Sequence, residues 1–210
     1  NGVRTRCSDD YLWLPLAVCY YVETTGDMDA LEIRIPYLEG RSLQPGEESV
    51  YDTPVISGTE ETLWLHCVKA IHYGLRFGEH GLPLMGAGDW NDGMNRVGIE
   101  GKGESVWLGF FLYDILQRFA ALAERRLDES VAAMCRSQAL RLQSNLEAHA
   151  WDGEWYRRGY FDDGTPLGSK TSQDCRIDAI AQSWSVLSGA ASPGRCAKAM
   201  QALDKHLVDN

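Results

Sequence analysis

The sequence of 210 residues is poor in features that mark several common classes of protein. No apolar run approaches the roughly 18 residues of a membrane-spanning helix, so the sequence predicts no membrane span. The five histidines form no HxH or HExxH pattern with nearby acids, so no zinc or other metal site is expected. Basic residues are also few: 20 against 30 acidic residues give a net charge of −10, which disfavours binding to nucleic acid.

Closely spaced cysteine pairs are missing as well. The six cysteines contain no CxxC pair, and Cys19 and Cys67 lie in apolar runs with helical periodicity. A reduced cysteine in such a run behaves as a small hydrophobic residue. The sequence therefore predicts free thiols and a reducing compartment.

Tryptophan and glycine, by contrast, are abundant. The chain contains seven tryptophans and 21 glycines, and the glycines cluster in loops beside tryptophans. The flat face of an aromatic ring packs well against the C–H face of a sugar, so this combination is typical of carbohydrate sites. Burial in the core is the alternative explanation for most of the tryptophans.

Helical periodicity dominates the sequence, and we predict an all-α fold. The predicted helices cover residues 10–25, 27–35, 59–77, 104–126, 128–150, 177–188 and 193–207. Residues 39–58 are rich in Gly, Pro, Ser and Glu and are predicted to form a loop. Residues 151–176 are predicted to be irregular, with a short hairpin around 156–161 and a turn at 162–164. Helical hairpins of this size build α/α toroids and bundles.

The segment GAGDWNDGMNRVG, at residues 86–98, is the first candidate site. Its four glycines allow sharp turns and the close approach of a ligand. Asp89 and Asp92 offer a general acid, a base or metal oxygens, and Trp90 offers a platform for a sugar. The Asp-x-x-Asp-Gly spacing lacks the bidentate glutamate of an EF-hand, which excludes that calcium loop. A purely structural loop, with aspartates closing its turns, is the alternative.

A second cluster lies ahead of the first predicted helix. Asp9 and Asp10 alone fit the acidic start of a helix. Arg4 and Arg6, which precede them, are not explained by a helix cap. Arginines beside carboxylates fit the recognition of a phosphate oxygen or a sugar hydroxyl.

A third cluster runs through residues 174–184, with the sequence DCRIDAIAQSW. Asp178 and Gln182 lie one turn apart and so share one helix face. A solvated helix face or a cap explains these residues as well as a binding role does.

These motifs together resemble a known family. GAGDWNDGMNRVG, with the blocks RCSDDYLWLP, GESVWLG, RRGYFDDGTPLGS and CRIDAIAQSW, resembles the family 94 glycoside hydrolases, which are inverting β-glucoside phosphorylases. The similarity extends in particular to the phosphorylase-like C-terminal region of cyclic β-1,2-glucan synthases. The blocks occur in family order across almost all 210 residues.

The resemblance implies that residues 1–210 are a fragment of a catalytic domain with an (α/α)6 barrel. About seven predicted helices fall short of the twelve in such a barrel, so a partial barrel is expected. The resemblance also implies a cytoplasmic domain of a parent protein anchored in the inner membrane. A free cytoplasmic phosphorylase is the alternative.

The resemblance also implies roles for single residues of the later motifs. Asp92 matches the general acid of the family, and Trp90 matches the aromatic residue that lines the sugar site. Asp174 matches the acid that opens the last block. Gln182 lies where many relatives carry a phosphate-binding histidine. With Asp89, these residues belong to the predicted substrate site.

The arginines and aspartates of the second cluster complete that predicted site. One of Arg4 and Arg6, and one of Asp9 and Asp10, match residues that recognise substrate or phosphate. The spacing of the motif does not choose within either pair.

The activity that the resemblance implies is inverting phosphorolysis of β-glucosidic bonds, which yields α-glucose 1-phosphate. Inorganic phosphate is then a co-substrate, no cofactor is expected, and one protein acid suffices because phosphate is already an anionic nucleophile. The expected partners are a β-glucan oligosaccharide, phosphate, the remainder of the parent polypeptide, and further copies of the chain contacted through exposed apolar helix faces. The alternatives are a non-catalytic carbohydrate-binding or structural helical domain and, third, a metal-loop protein.

Overall fold

The computed structural model describes residues 2–208, apart from the side chain of Asp92. Helices account for about half of the chain. Six α-helices lie in the described range: α1 (Trp13–Thr25), α2 (Leu63–Gly74), α3 (Val106–Arg125), α4 (Glu129–Asn145), α5 (Ala179–Leu187) and α6 (Pro193–Leu207). Short 3-10 turns at Asp10–Leu12, Asp29–Glu32 and Asp92–Met94, and a π turn at Leu146–Ala150, add to them.

Three small antiparallel sheets correct the expectation of an all-α fold. Strand β1 (Gly2–Thr5) pairs with β3 (Ser49–Asp52), and β2 (Arg34–Glu39) pairs with β4 (Val55–Thr62). The third sheet has the order β5 (Glu104–Ser105), β6 (Gly159–Tyr160) and β7 (Pro166–Leu167). The described chain is therefore about half helical, with short strands before α1 and between later helices.

Helix α3 forms the centre of the core. It packs against α1, α4 and α5, and apolar residues all around it are buried. By length and composition, α3 could cross a membrane, but 78% of its most apolar window is buried inside the protein. Trp107 lies on this helix and is itself buried, and Trp64 stacks on Phe119 with 4.6 Å between ring centroids. Core packing thus accounts for the apolar surface of α3 and for part of the tryptophan content.

Buried thiols line the same core. Cys19, Cys67 and Cys135 have almost no exposed surface. Burial raises the pKa of each thiol to about 12, because the charged thiolate is poorly solvated there. These three cysteines act as small apolar residues.

The predictions for residues 27–62 are wrong in two places. The predicted helix over 27–35 is a 3-10 turn followed by β2, because the residue before Pro36 disfavours helical geometry and β4 supplies hydrogen-bond partners. The predicted loop over 39–58 contains β3 and the first half of β4. Consequently α2 begins at Leu63 rather than at Thr59, with the Thr62 hydroxyl accepting the Leu65 N–H at 3.3 Å.

The remaining helix predictions are confirmed within a few residues at each end. Helix α1 ends where Gly26 adopts a φ of 74°, a conformation that glycine reaches without strain. The predicted hairpin near the turn at 162–164 is formed by β6 and β7. Helices α3 to α6 follow the expected periodic segments.

Candidate active site

Backbone pairing joins the second cluster to the glycine-rich segment. The Ala87 N–H donates to the Arg6 carbonyl at 3.1 Å, and the Ser8 N–H donates to the Gly88 carbonyl at 2.9 Å. Gly86 has a φ of 64°, and a Cβ there would lie 2.5 Å from the Arg6 carbonyl oxygen. Glycine is therefore required at position 86 for two distant motifs to meet.

Asp89 forms a buried ion pair in the protein interior. Both of its carboxylate oxygens accept from the Arg158 guanidinium, at 2.5 and 2.7 Å. The Ser105 hydroxyl donates to Asp89 Oδ2 at 2.6 Å. The side chains of Asp89 and Arg158 are fully buried, so Asp89 connects the glycine-rich segment to the interior of the fold.

Arg158 is the main residue of this region that sequence reasoning missed. It immediately precedes β6, and its Nε lies 3.5 Å from Asp178 Oδ2 at the start of α5. A fully buried arginine is rare unless it is paired. The available signal was the pair of arginines in WYRRGYF, a segment otherwise apolar enough to be a buried hairpin strand.

Asp9 and two tryptophans form a partly open surface beside this ion pair. Asp9 is buried and accepts the Trp13 indole N–H at 2.9 Å. Trp13 lies 5.4 Å from Trp90 between ring centroids, and Trp90 is 58% exposed. The structure thus brings predicted residues Asp9 and Trp90 together through Trp13, which the sequence analysis did not assign to the site.

The surroundings of Asp9 shift the pKa of its carboxyl group. Burial raises the pKa of the Asp9 carboxyl above its ordinary value. The charges of Asp10 and Asp89 raise it further, and the hydrogen bond from Trp13 opposes them.

Arg4, Arg6 and Asp10 lie on a different surface. They line a cleft of about 930 Å³ whose described lining does not include Asp9, Asp89 or Trp90. Arg6 donates to the carbonyls of Glu47 and Gln44, at 2.7 and 3.2 Å, and Arg4 donates weakly to the Gly40 carbonyl at 3.5 Å. The Thr5 hydroxyl donates to Asp10.

The far wall of this cleft is aromatic and basic. Tyr11 and Tyr73 contact edge to face at 4.7 Å, and the Arg76 guanidinium lies 4.0 Å from the centre of the Tyr73 ring. Arg4, Arg6 and Arg76 give the cleft three guanidinium groups, and Asp10, Glu47 and Glu48 give it three carboxylates. The cleft therefore offers both donors and acceptors to hydroxyl groups.

The general-acid prediction concerns a side chain outside the described part of the structure. The backbone of Asp92 starts the 3-10 turn Asp92–Met94, and the Met94 N–H donates to the Asn91 carbonyl at 3.2 Å. The role of the Asp92 side chain stays a prediction.

The third predicted cluster is not part of either surface as described. Gln182 is fully buried, accepts the Tyr156 N–H at 2.8 Å, and donates to the carbonyls of Tyr156 and Asp178 at 2.7 and 3.0 Å. Its amide therefore bonds the main chain and does not face an open cleft. Asp174 is exposed. Among the side chains that the structure describes, which exclude that of Asp92, no three from His, Cys, Asp or Glu are grouped as they would be around a metal ion.

Comparison with known proteins gives consistent matches along the chain. The sequence profile of the glycosyl hydrolase 94 superfamily, catalytic domain, matches residues 1–210. The cyclic beta-(1,2)-glucan synthase NdvB of Rhizobium meliloti (strain 1021) is 45% identical over 209 residues, which are 99% of this chain and 7% of that protein.

Two phosphorylases are also similar. Solabiose phosphorylase of Paenibacillus borealis is 36% identical over 203 residues, covering 95% of this chain and 24% of that enzyme. N,N'-diacetylchitobiose phosphorylase of Vibrio proteolyticus is 32% identical over 210 residues, covering 99% of this chain and 24% of that enzyme. The chain thus spans a quarter or less of the length of each of these relatives.

Proposed function

The chain belongs to the glycosyl hydrolase 94 superfamily of catalytic domains, and from this we propose that it is part of an enzyme that breaks or transfers β-glucosidic bonds. The observation that carries the proposal is the surface formed by Asp9, Trp13 and Trp90 next to the motif that contains Asp92. Similarity to a glucan synthase and to phosphorylases supports an enzyme of the phosphorylase or glycosyltransferase type.

The proposed architecture is a part of an (α/α)6 barrel, with residues 1–210 forming a fragment of one catalytic domain. Its paired helices α3 and α4, and α5 and α6, support this arrangement. We further propose that the domain is cytoplasmic and that the parent protein is anchored in the inner membrane.

The proposed reaction is inverting phosphorolysis. Asp92 donates a proton to the glycosidic oxygen, and a phosphate oxygen attacks the anomeric carbon from the opposite face. The bond to the leaving sugar breaks as the bond to phosphate forms, which gives α-glucose 1-phosphate. No protein base is needed, because the nucleophile is already an anion.

The described residues beside Asp92 fit binding of a sugar. Trp90, supported by Trp13, offers an exposed ring for the sugar face. Arg4 and Arg6, which we propose to recognise substrate or phosphate, line the separate cleft, and Arg6 already donates to two main-chain carbonyls.

The proposal is tested by Asp92→Asn in the full-length protein. We expect phosphate-dependent release of glucose 1-phosphate from a β-1,2-gluco-oligosaccharide to fall by about 100-fold or more, because the isosteric amide cannot donate the proton. Asp204→Asn, an exposed aspartate on α6, is the control and should keep the wild-type rate. Full activity of the Asp92→Asn enzyme would show that the general acid is another group.

A non-catalytic carbohydrate-binding domain is the second candidate, favoured by the exposed Trp90 ring. Calorimetry separates the two. Binding of the oligosaccharide that is independent of phosphate, with no product formed, supports binding alone. Turnover that requires phosphate supports the enzyme.

A further inference from the structure

The buried pair of Arg158 and Asp89 lies beside the loop that carries Asp92. We propose that Arg158 is a positioning residue: its hydrogen bonds to the Asp89 carboxylate fix this loop and thereby fix the position of the general acid, Asp92. The inference rests on the proposed function, because that function assigns the proton transfer to Asp92.

The geometry of the pair restricts how Asp89 can move. Two parallel N–H groups of Arg158 bond the two carboxylate oxygens, which fixes both the position and the plane of the carboxylate. The Ser105 hydroxyl adds a third donor at 2.6 Å. A single point contact, such as an ammonium would make, does not fix this plane.

Asp89 is in turn hydrogen-bonded to the loop that follows it. Asp89 Oδ1 also accepts the Asn91 N–H at 3.2 Å. The Asn91 carbonyl in turn accepts from Met94, which closes the 3-10 turn that begins at Asp92. The carboxylate held by Arg158 is therefore three residues from Asp92 and bonded to the residue just before it.

Two main-chain hydrogen bonds hold Arg158 in place. Its N–H donates to the Leu167 carbonyl at 2.8 Å, and its carbonyl accepts from the Val106 N–H at 3.1 Å. A Cβ on Gly168, where φ is 71°, would lie 2.6 Å from the Arg158 nitrogen, so the hairpin packs closely around it. The loop is thus tied to the start of α3 and to the β6–β7 hairpin.

The adjacent Arg157 provides a matched control. Its guanidinium forms an ion pair with the mostly buried Asp152 at 2.6 Å. Its other described hydrogen bonds reach the carbonyls of His149 and Trp151 and not the loop around Asp92. Replacing Arg157 removes a neighbouring Arg–Asp ion pair, made through one N–H, without releasing Asp89.

The kinetic test uses Arg158→Met and Arg157→Met in the full-length protein. For Arg158→Met we expect kcat per folded molecule to fall by about 10- to 100-fold with little change in the KM for phosphate, because small displacements of a catalytic group are costly. Arg157→Met should keep kcat within about twofold of wild type. Equal kcat values for wild type and Arg158→Met, after correction for folded protein, would overturn the proposal.

Asp89→Asn is the second variant, and it serves where Arg158→Met does not fold. It keeps the shape of the side chain and removes its charge. If Arg158 acts through Asp89, each single substitution lowers kcat. The kcat of the double variant is then no lower than that of the more affected single variant. Losses that multiply in the double variant would mean that Arg158 acts independently of Asp89.

Hydrogen–deuterium exchange gives a measurement that does not need the proposed reaction. Releasing Asp89, by Arg158→Met or Asp89→Asn, should speed exchange in residues 86–95, whereas Arg157→Met should leave that segment at the wild-type rate. Unchanged exchange in residues 86–95 would refute the restraint. A wild-type protein without phosphorolysis would refute the proposed function, and the exchange data would still decide the role of Arg158.

Discussion

Neighbouring residues of the same chemistry have different surroundings in this protein. Asp9 is buried against the Trp13 indole, whereas Asp10 is exposed and bonded to Thr5. Arg158 is fully buried and paired with Asp89, whereas Arg157 is partly exposed and paired with Asp152. Removing one partner of a buried pair costs about 3–5 kcal/mol, so Asp89 is constrained by stability as well as by any role in the site.

The pH dependence of stability follows from Asp9. The folded protein binds the Asp9 proton more tightly than the unfolded chain does, because burial raises the pKa of Asp9 above its ordinary value of 3.8. This group therefore makes the protein less stable as pH rises through the window from 3.8 to the raised folded value. Asp9→Asn should remove this part of the decline.

Thermal unfolding between about pH 4 and pH 7 measures the effect. The stability of the Asp9→Asn variant relative to wild type should increase across this range. A constant difference between the two proteins would mean that the Asp9 pKa is the same in the folded and unfolded states.

Sequence reasoning at the residue scale could identify the motifs but not their pairing. DWND stands out by its composition, yet the contact of Asp89 with Arg158 joins residues 69 positions apart. The choice between Asp9 and Asp10 depends on which side of the chain faces Trp13. Periodicity over a few residues contains no information about such distant partners.

At the scale of elements, the long helices were predictable and the short strands were not. Helix α3 has a strong apolar pattern, and α1 ends at a glycine. Strands β2 and β4 form a two-stranded sheet with mostly exposed residues, so they lack the alternation of buried and exposed positions that identifies a strand. The two strands pair with each other across the intervening residues 40–54. Pro36 and Gly58 further weaken the sequence pattern of a strand.

The hairpin of β6 and β7 is attached to the rest of the fold by Asp162. Its carboxylate accepts the N–H groups of Glu100, Lys102 and Gly103, each at 2.8 Å. Although partial burial raises the pKa of Asp162, these hydrogen bonds lower it below the ordinary value. The stabilisation is therefore present above pH 3.8 and is lost as pH falls.

We expect Asp162→Ala to lower the free energy of unfolding by about 2 kcal/mol, because it removes charge-assisted hydrogen bonds to three amides. Urea denaturation near neutral pH measures this loss. Asp163→Ala is the control, since Asp163 accepts one N–H, from Thr165, and is exposed. An equal loss in both variants would contradict the special role of Asp162.

At the scale of the whole molecule, helices α5 and α6 leave apolar side chains uncovered. Leu187 is 67% exposed, and Val186, Met200 and Leu207 are also exposed. Exposed apolar side chains favour association where they lie together.

The 210-residue chain, expressed alone, should therefore self-associate. Size-exclusion chromatography with light scattering should give a mass above the 23.4 kDa of one chain. Leu187→Ser should shift the distribution toward the monomer, whereas Asp204→Asn should not. A clean monomer for the unmodified chain would contradict the expectation.

The pairing of Ser8 with Gly88, 80 residues away, has a consequence for the order of folding. Helices such as α3 and α4 form from local contacts, whereas the ends of long chain segments meet only after the entropy of the intervening chain has been lost. The same holds for Asp89 and Arg158. If sugar binds at Trp90 as we propose, binding requires that segments from both halves of the chain have already docked. Ligand affinity would then report completed folding and not the mere presence of helices.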